Sequence, residues 1–302
     1  MMTIDSGYEA RTELGRAQGY GSQSMIGRLR RVMVRVPGDE YTEANWQAMG
    51  LEGQPDHSRA VAQQRRFIEI LEGEGVEIEY LQEGATVHST AVYDPALITE
   101  HGAIILPSSR PARRAEATPM ARALLALEIP ILGTLHGHAA ADGGDTLWLD
   151  RETLLVGHGF RTNDAAFLQL RALLDGIATV EQIELPYWRG TAEVLHLMSM
   201  ISLVDRQTAL VYPRNAPLRA IRALQDREYS FVEVPDEEWE TLGSNALCLG
   251  PGKALITSGN PVTAGRLRDA GIEVLEFEAD EICWRRVSGP TCNTRPLLRD
   301  GA

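Results

Sequence analysis

One order of elements, strand, strand, helix and strand, recurs along this chain and limits what it can fold into. Its first three elements cover residues 90–127, 145–175, 200–226 and 244–270, and the closing strands cover 129–132, 180–185, 231–234 and 272–277. An N-terminal unit has a strand at 32–36, a helix at 56–72 and a strand at 76–81. Such a unit buries its apolar face only against its neighbours. The pattern therefore predicts an α/β fold of five modules in a closed ring, with a mixed α/β sheet as the alternative.

Composition indicates a globular protein with no membrane span. The chain has 302 residues, of which 44% are hydrophobic and 24% charged. No apolar run approaches the ~18 residues that a membrane span needs, and residues 1–24 contain no stretch typical of a signal sequence. We expect residues 1–24, which are polar and glycine-rich, to form a flexible lead and residues 25–302 to form a single domain. A cytoplasmic location is predicted.

Charge and cysteine usage narrow the classes of partner. With 29 basic and 42 acidic residues the formal net charge is −13, which argues against nucleic acid and anionic membranes and is compatible with a small cationic ligand. Three cysteines, Cys248, Cys283 and Cys292, are too few and too scattered for a disulfide framework, so a reducing compartment is expected. We interpret Cys248 as a core residue, and the same interpretation is open for Cys283.

Cys292 stands out because it lies in the polar turn SGPTCNTR, close to the end of the chain. A cysteine packed for volume normally lies in an apolar run. This one has glycine, proline and threonine before it and asparagine after it, so the turn presents the thiol. An ordinary thiol in a C-terminal loop is the alternative, and the cysteine alone does not exclude it.

In a ring of modules the ends of the strands converge on the axis, so polar residues at equivalent ends should meet there. These residues are Asp94, Asp142, Asp145, His196 and Cys292. Each also has a structural explanation: Asp94 precedes a proline, the DGGD stretch could be a plain glycine loop, and His196 between two leucines could be a core histidine. It is their combination that indicates a catalytic site.

The ordered motifs DGGD, HL and GPTCNT resemble those of the guanidino-group-modifying superfamily, which contains arginine deiminases, dimethylarginine dimethylaminohydrolases and amidinotransferases. The resemblance extends from about residue 29 to 296 and is nearest to the dimethylarginine dimethylaminohydrolase branch. It implies a five-bladed α/β-propeller, the pentein fold, as a single catalytic domain. It also implies hydrolysis of a substituted guanidine, such as an N-methylated arginine, to a ureido product (citrulline) and an amine, without metal or organic cofactor.

The resemblance assigns roles that suit the chemistry of these residues. Cys292 would be the nucleophile and His196 the acid and base, with Asp142 as the third catalytic residue. Asp94 and Asp142 would accept guanidinium N–H groups. Asp145 is counted with the substrate-binding residues, although it is better suited to ordering the glycine turn or the histidine.

By their position relative to these motifs, Arg161 and either Arg113 or Arg114 resemble the family's carboxylate-binding arginines, and the planar guanidinium fork suits a carboxylate. Solvated charges near helix starts are the alternative, and it is weaker for Arg161. Met198 stands where arginine deiminases carry an aspartate, and a thioether favours an alkylated guanidine over free arginine. Asp142 replaces a usual glutamate, and His88 replaces an acidic residue, so the identity of the guanidine stays open.

Four other functions remain to be weighed. His136 and His138 with Asp142 and Asp145 could form the metal site of an amidinohydrolase, although no second cluster completes a two-metal centre. A non-catalytic propeller that binds a ligand is the second. Within the preferred class, amidino transfer to an amine or hydrolysis of free arginine competes with hydrolysis of a substituted guanidine. The expected partner is a small cationic guanidino substrate, and the oligomeric state stays open, with a homodimer as one option.

Overall fold

The computed structural model describes residues 19–43, 53–84, 86–191 and 195–301. Within them the strands are β1 (Leu29–Val34), β2 (Glu77–Tyr80), β3 (Ala96–Thr99), β4 (Gly102–Ile105), β5 (Ile131–Thr134), β6 (Thr146–Asp150), β7 (Thr153–His158), β8 (Thr179–Glu184), β9 (Ile201–Asp205), β10 (Thr208–Val211), β11 (Ser230–Glu233), β12 (Leu247–Gly250), β13 (Lys253–Thr257), β14 (Glu273–Phe277) and β15 (Arg295–Arg299). The α-helices are α1 (Glu40–Glu43), α2 (His57–Gly73), α3 (Ala117–Ala126), α4 (Asp164–Leu173), α5 (Leu218–Gln225) and α6 (Pro261–Asp269).

The strands form five three-stranded sheets with one repeated topology. In the sheet β6-β7-β8, β6 and β7 form an antiparallel hairpin, and β8 then pairs in parallel with β7. Parallel neighbours need a crossover connection, which α4 supplies. The other sheets repeat this arrangement, so the predicted five-module α/β propeller is confirmed.

The first module takes its inner strand from the far end of the chain. Its order is β15-β1-β2, with β15 antiparallel to β1 and Val32 opposite Pro296. The sequence analysis did not assign β15, because RPLLR is short, polar at both ends and contains a proline.

Residues 19–24 differ from the predicted flexible lead. The Gly21 amide donates to the Leu297 carbonyl (2.7 Å), and the Gly21 carbonyl accepts from the Arg299 amide (2.9 Å), so this segment extends the first sheet. Gln23 is buried and its side chain bonds Arg151 O and the Glu100 amide. This segment is held by hydrogen bonds. Its sequence has no apolar periodicity and therefore resembles that of a loop. Residues 1–18 lie outside the described residues, so their assignment stays a prediction.

The core lies between each sheet and its helix and between neighbouring sheets. The β7 residues Leu154–Val156 are fully buried, and Ala166 and Leu170 of α4 are buried against the same cluster. Asp56 caps α2, since its carboxylate accepts the Arg59 amide (3.0 Å). None of the described helices is long and apolar enough to cross a membrane.

We predict that Leu297→Ala lowers the free energy of unfolding by about 3 kcal/mol, because it leaves a cavity where β15 closes the ring. Leu297 is fully buried, in a cluster with Met33 and Ile98. Leu168→Ala, at a side chain that is 53% exposed, is the control and should change stability by less than about 0.5 kcal/mol. Urea unfolding followed by circular dichroism measures both. Equal effects would contradict the closing role of β15.

Candidate active site

Five polar residues lie at the same point of the five modules, just before the inner strand of each sheet. Asp94 precedes β3, Asp145 precedes β6, His196 precedes β9, Asn245 precedes β12 and Cys292 precedes β15. Cys292 is partly exposed, and the other four are buried. The arrangement explains how residues distant in sequence come together on the ring axis.

Hydrogen bonds within the turn, and one from a neighbouring module, hold the turn that carries Cys292. The Asn293 side-chain amide donates to the Ser288 carbonyl (2.9 Å) and to the Gly289 carbonyl (3.1 Å). The Cys292 carbonyl accepts the Tyr93 amide (3.1 Å), which ties the turn to the module that carries Asp94. The thiol is thereby held in place although it lies in a loop.

Asn245 is a site residue that the sequence analysis missed. Its side-chain oxygen accepts the Thr291 amide (3.0 Å), and its side-chain nitrogen lies 3.6 Å from the Cys292 sulfur. Gly289 makes this approach feasible, because a Cβ there would lie 2.2 Å from the Asn245 Cγ. The indication was available in the sequence: Asn245 opens the strand NALCL at the position where the other modules carry site residues.

His196 is held against Asp142. The His196 Nε2 lies 3.2 Å from Asp142 Oδ2, and the same oxygen lies 3.7 Å from Arg161 Nη1. Burial alone would lower the pKa of His196, but the carboxylates of Asp94, Asp145 and Asp142 outweigh it and raise that pKa. Burial would raise the pKa of Asp142, whereas the hydrogen bond and charge of His196, together with the nearby arginines, hold it well below the usual range. The raised pKa favours the imidazolium form of His196, which can donate a proton.

The glycines of DGGD serve close packing around the histidine. A Cβ on Gly143 would lie 2.3 Å from the Tyr93 carbonyl oxygen, and one on Gly144 would lie 2.4 Å from His196 Nδ1. Asp145 orders the neighbourhood: it accepts the Leu197 amide (3.0 Å) and the Thr162 hydroxyl (2.6 Å). Burial raises the pKa of Asp145 to about 6. Asp145 does not line the cavities at Cys292 described below.

Asp94 lies beside the thiol and is engaged by two donors. Arg113 Nη1 donates to Asp94 Oδ2 (2.7 Å), and the Gly144 amide donates to Oδ1 (3.1 Å). Arg113 also donates through Nε (3.0 Å) and Nη2 (2.9 Å) to Glu116. Most N–H groups of Arg113 therefore bond to other groups of the protein. Arg113 is better placed to orient Asp94 than to bind a ligand.

One cavity at Cys292 is strongly basic. It is lined by Asp94, His196 and Cys292 at one end and by His88, Arg110, Arg113, Arg161 and Arg286 elsewhere. Arg161 is 3% exposed, and within the described part of the chain its Nε and Nη2 have no hydrogen-bond partner. Arg286 is held by Glu281 and by the Tyr41 hydroxyl, which accepts from Nε (3.0 Å). The described lining thus combines one carboxylate and the thiol with four guanidinium groups, of which Arg113 lies 2.7 Å from Asp94 and Arg161 lies 3.7 Å from Asp142.

A second cavity adjoins Cys292 and His196 and is aromatic. Its lining includes Trp239, Trp284 and Leu242, and it shares Val287 with the basic cavity. Leu242 and Val287 both have left-handed backbone, with φ of 61° and 50°. That conformation is strained for a β-branched residue such as Val287, and such strain clusters at functional sites.

Two sequence candidates lie away from these cavities. Met198 is buried in the core and lines a small internal cavity with Met25 and Tyr93 rather than either cavity at Cys292. Its predicted contact with an alkyl group therefore has no geometric support. Arg114 is exposed and donates to the Gly137 carbonyl (3.3 Å), so Arg113 is the member of the pair that reaches the site.

The alternative metal site does not assemble. His136 and His138 are exposed, whereas Asp142 and Asp145 are buried. Among the described residues, the donor atoms that come within 4.8 Å of one another belong to Asp94, Asp142 and His196. Both carboxylates already have cationic partners, so this donor set fits a guanidinium better than a metal ion.

The fold and site define a class of enzymes that act on guanidino groups, and comparison with known proteins bears this out. The family model for arginine deiminase matches residues 91–216 and 214–299. The chain belongs to the arginine deiminase family. The superfamily predicted from the motifs is thereby confirmed, as is its class, hydrolases of amidine C–N bonds.

Relatives in this family carry different activities. A dimethylarginine dimethylaminohydrolase of Streptomyces coelicolor is 29% identical over 234 residues, 76% of this chain and 84% of that protein. An arginine deiminase of Listeria monocytogenes is 27% identical over 251 residues, 68% of this chain and 60% of that protein. The chain thus spans well under two thirds of the deiminase. These similarities support hydrolysis or transfer of a guanidino group.

Solved structures share the fold. A dimethylarginine dimethylaminohydrolase from Pseudomonas aeruginosa, in complex with citrulline, is 20% identical with a TM-score of 0.74 and covers 89% of this chain and 99% of its own. The amidinotransferase SxtG from Microseira wollei is 15% identical with a TM-score of 0.75, covering 94% and 98%. At these identities the likeness concerns the fold alone.

We predict that Gly144→Ala lowers kcat/KM for a guanidine substrate about 100-fold, because the new methyl group displaces the His196 ring. Gly265→Ala is the matched control, since a Cβ there meets no atom within 4 Å. Steady-state kinetics with circular dichroism of both variants makes the measurement. Unchanged kinetics in Gly144→Ala would contradict the assigned position of His196.

The free thiol should react slowly at neutral pH. Burial, and then the Asp94 carboxylate, raise the pKa of Cys292 to about 12, so the protonated form dominates below that pH. We predict that alkylation of Cys292 by iodoacetamide accelerates about tenfold per pH unit from pH 7 to 10. Intact-protein mass spectrometry, with Cys292→Ser as blank, measures the rate.

Asp94→Asn should accelerate this alkylation at pH 8 about tenfold, because it removes a negative charge that disfavours the thiolate. Asp175→Asn, at an exposed site, is the control and should leave the rate unchanged. A slower reaction in Asp94→Asn would show that the carboxylate does not govern the thiol.

Proposed function

We propose that the protein is a cysteine-dependent hydrolase of a substituted guanidine, most simply an N-methylated arginine or related derivative, which it converts to a ureido product (citrulline for methylarginine) and an amine. The observation that carries this proposal is the joint lining of one cavity by Cys292, His196 and Asp94, with Asp142 behind the histidine. A nucleophile, a proton donor and anions for a guanidinium are the groups this reaction requires.

The first half-reaction forms a covalent bond to sulfur. A guanidinium cation beside Asp94 offsets the negative charge that disfavours the thiolate, so substrate binding promotes loss of the Cys292 proton. The sulfur attacks the guanidinium carbon. The imidazolium of His196 then protonates the departing nitrogen, the C–N bond breaks, and the amine leaves an S-alkyl-thiouronium on Cys292.

The second half-reaction consumes water. His196, now neutral, takes a proton from a water molecule, and the oxygen attacks the thiouronium carbon. The C–S bond breaks, the proton on the added oxygen passes to solvent, the thiolate returns and the neutral ureido product leaves. Asp142 supports both steps, because its Oδ2 stabilises the imidazolium of His196. Its Oδ1 is buried without a partner among the described residues and would accept a substrate N–H.

The far end of the substrate would bind to Arg161. Two nitrogens of this guanidinium, Nε and Nη2, lack partners in the described chain, and a carboxylate would satisfy both. Arg113 would contribute indirectly by fixing Asp94. A cytoplasmic location and a homodimer remain proposals from sequence.

Amidino transfer is the second candidate, and the aromatic cavity favours it. Trp239 and Trp284 line that cavity on the same side of the site as His196 and Cys292, where an acceptor amine could wait for the thiouronium. In hydrolysis the same space would hold the departing amine. Hydrolysis of free arginine, the reaction named for the Listeria relative, is the third candidate.

The test is acid-quenched intact-protein mass spectrometry after incubation with arginine, mono- and dimethylarginine and other N-alkylguanidines. We expect an adduct on Cys292 with release of the ureido product and the amine, and loss of turnover by at least about 1,000-fold in Cys292→Ser. Adding an amine separates the candidates, since transfer yields a new guanidine in place of the ureido product.

Absence of adduct and product with every guanidine would contradict the proposal. Activity that depends on added Mn²⁺ or Zn²⁺ and survives Cys292→Ser would assign the reaction to a metal instead.

A further inference from the structure

The described lining of the basic cavity contains one carboxylate and several cationic or ionisable nitrogen groups. Four guanidinium groups belong to Arg110, Arg113, Arg161 and Arg286, and two imidazoles belong to His88 and His196. The carboxylate is Asp94, which accepts from Arg113 and Gly144. An ammonium in this cavity would lie among these guanidinium groups, of which Arg113, Arg161 and Arg286 also face carboxylates outside the lining.

Glu116, a carboxylate outside this lining that pairs with Arg113, is committed as well. It accepts from Arg113 Nε and Nη2 and from the hydroxyl of Thr86 (2.9 Å), and it is 5% exposed. Redirecting Glu116 toward a ligand would strip Arg113 of its ion pair and loosen the turn at residues 86–90. Removing one partner from a buried pair is strongly unfavourable.

The pKa of His88 indicates a positive electrostatic potential in this cavity. His88 is 7% exposed, and burial together with Arg113, Arg110, Arg161 and Arg286 lowers its pKa to about 3. The imidazole is therefore neutral at physiological pH. A substrate ammonium in the same place would experience the same repulsion.

Two neutral polar atoms complete the wall. His88 Nε2 and Ser288 Oγ are buried and have no hydrogen-bond partner within the described residues. Ser288 is 4% exposed and lines the same cavity. Neutral groups of this kind can form hydrogen bonds with an amide or a carboxylate of the ligand. Each costs free energy if it stays buried without a hydrogen-bond partner.

We propose, building on the function proposed above and narrowing its substrate from free methylarginine to a related derivative, that the preferred substrate is an ω-guanidino carboxylic acid with no ammonium group beside its carboxylate. The neighbouring carbon carries either hydrogen alone or a neutral amide. Arg161 binds the carboxylate, while His88 and Ser288 face the position where a free amino acid would carry its positive charge. His88 is thus a specificity-determining residue that selects against α-amino acids.

Binding to the unreactive Cys292→Ser protein tests the pocket without catalysis. Isothermal titration would compare Nω-methyl-L-arginine, its Nα-acetyl derivative and its des-amino analogue. We expect the two compounds without an ammonium to bind at least ten times more tightly than the free amino acid.

His88→Asp in the same background should reverse this order, because a carboxylate at residue 88 offers the ammonium a partner. His88→Asn is the control: it remains neutral, so the preference should persist. Thermal melting of both variants confirms that each is folded.

The proposal would be overturned if the free amino acid bound to the Cys292→Ser protein as tightly as the other two compounds, or more tightly. An unchanged order of affinities in folded His88→Asp would also overturn it, as would a failure of all three compounds to bind. Turnover by the wild-type protein is scored separately. The expected binding order without turnover would contradict the proposed hydrolysis while supporting the selectivity of the pocket.

Discussion

Pairing between the two ends of the chain is the constraint on which the site depends. β15 completes the first sheet by pairing with β1, and without that pairing the ring would have four complete modules and an open edge. The same pairing places Cys292 next to Tyr93 and Asn245, which belong to two other modules. Cys292, the proposed nucleophile, therefore lies beside the other site residues only when the ring is closed. Folding and assembly of the active site are in this sense one event.

Charge balance is the second constraint. Asp142 lies between His196 and Arg161, and Asp94 is paired with Arg113. Isolated charges in such buried positions would be prohibitively costly, but alternating signs and hydrogen bonds make them tolerable. For the proposed reaction this alternation matters as well, because the carboxylates raise the pKa of His196 and would supply anions for a guanidinium. The arginines of the basic cavity would in the same way supply the charge opposite to the carboxylate of the proposed substrate.

Much of the site could be predicted from residues that mark module ends. Asp94, Asp142, His196 and Cys292 were found because each follows a turn and precedes a strand, and the glycines of DGGD proved necessary for close approach. Asn245 obeys the same rule and was overlooked, since it was treated as the first residue of a strand. Met198 was misplaced for the opposite reason: position along the chain says little about which side of a one-turn helix faces the cavity.

The sequence by itself determined the repeated module, the number of repeats and the polar residues at their ends, because periodic burial and turn chemistry are local properties. Tertiary structure alone decided that the last strand completes the first sheet and that Gln23 is buried. It also decided that Arg113 serves Asp94 and that His88 shares a cavity with four arginines. These outcomes depend on contacts between residues far apart in the chain, whose partners no local pattern specifies.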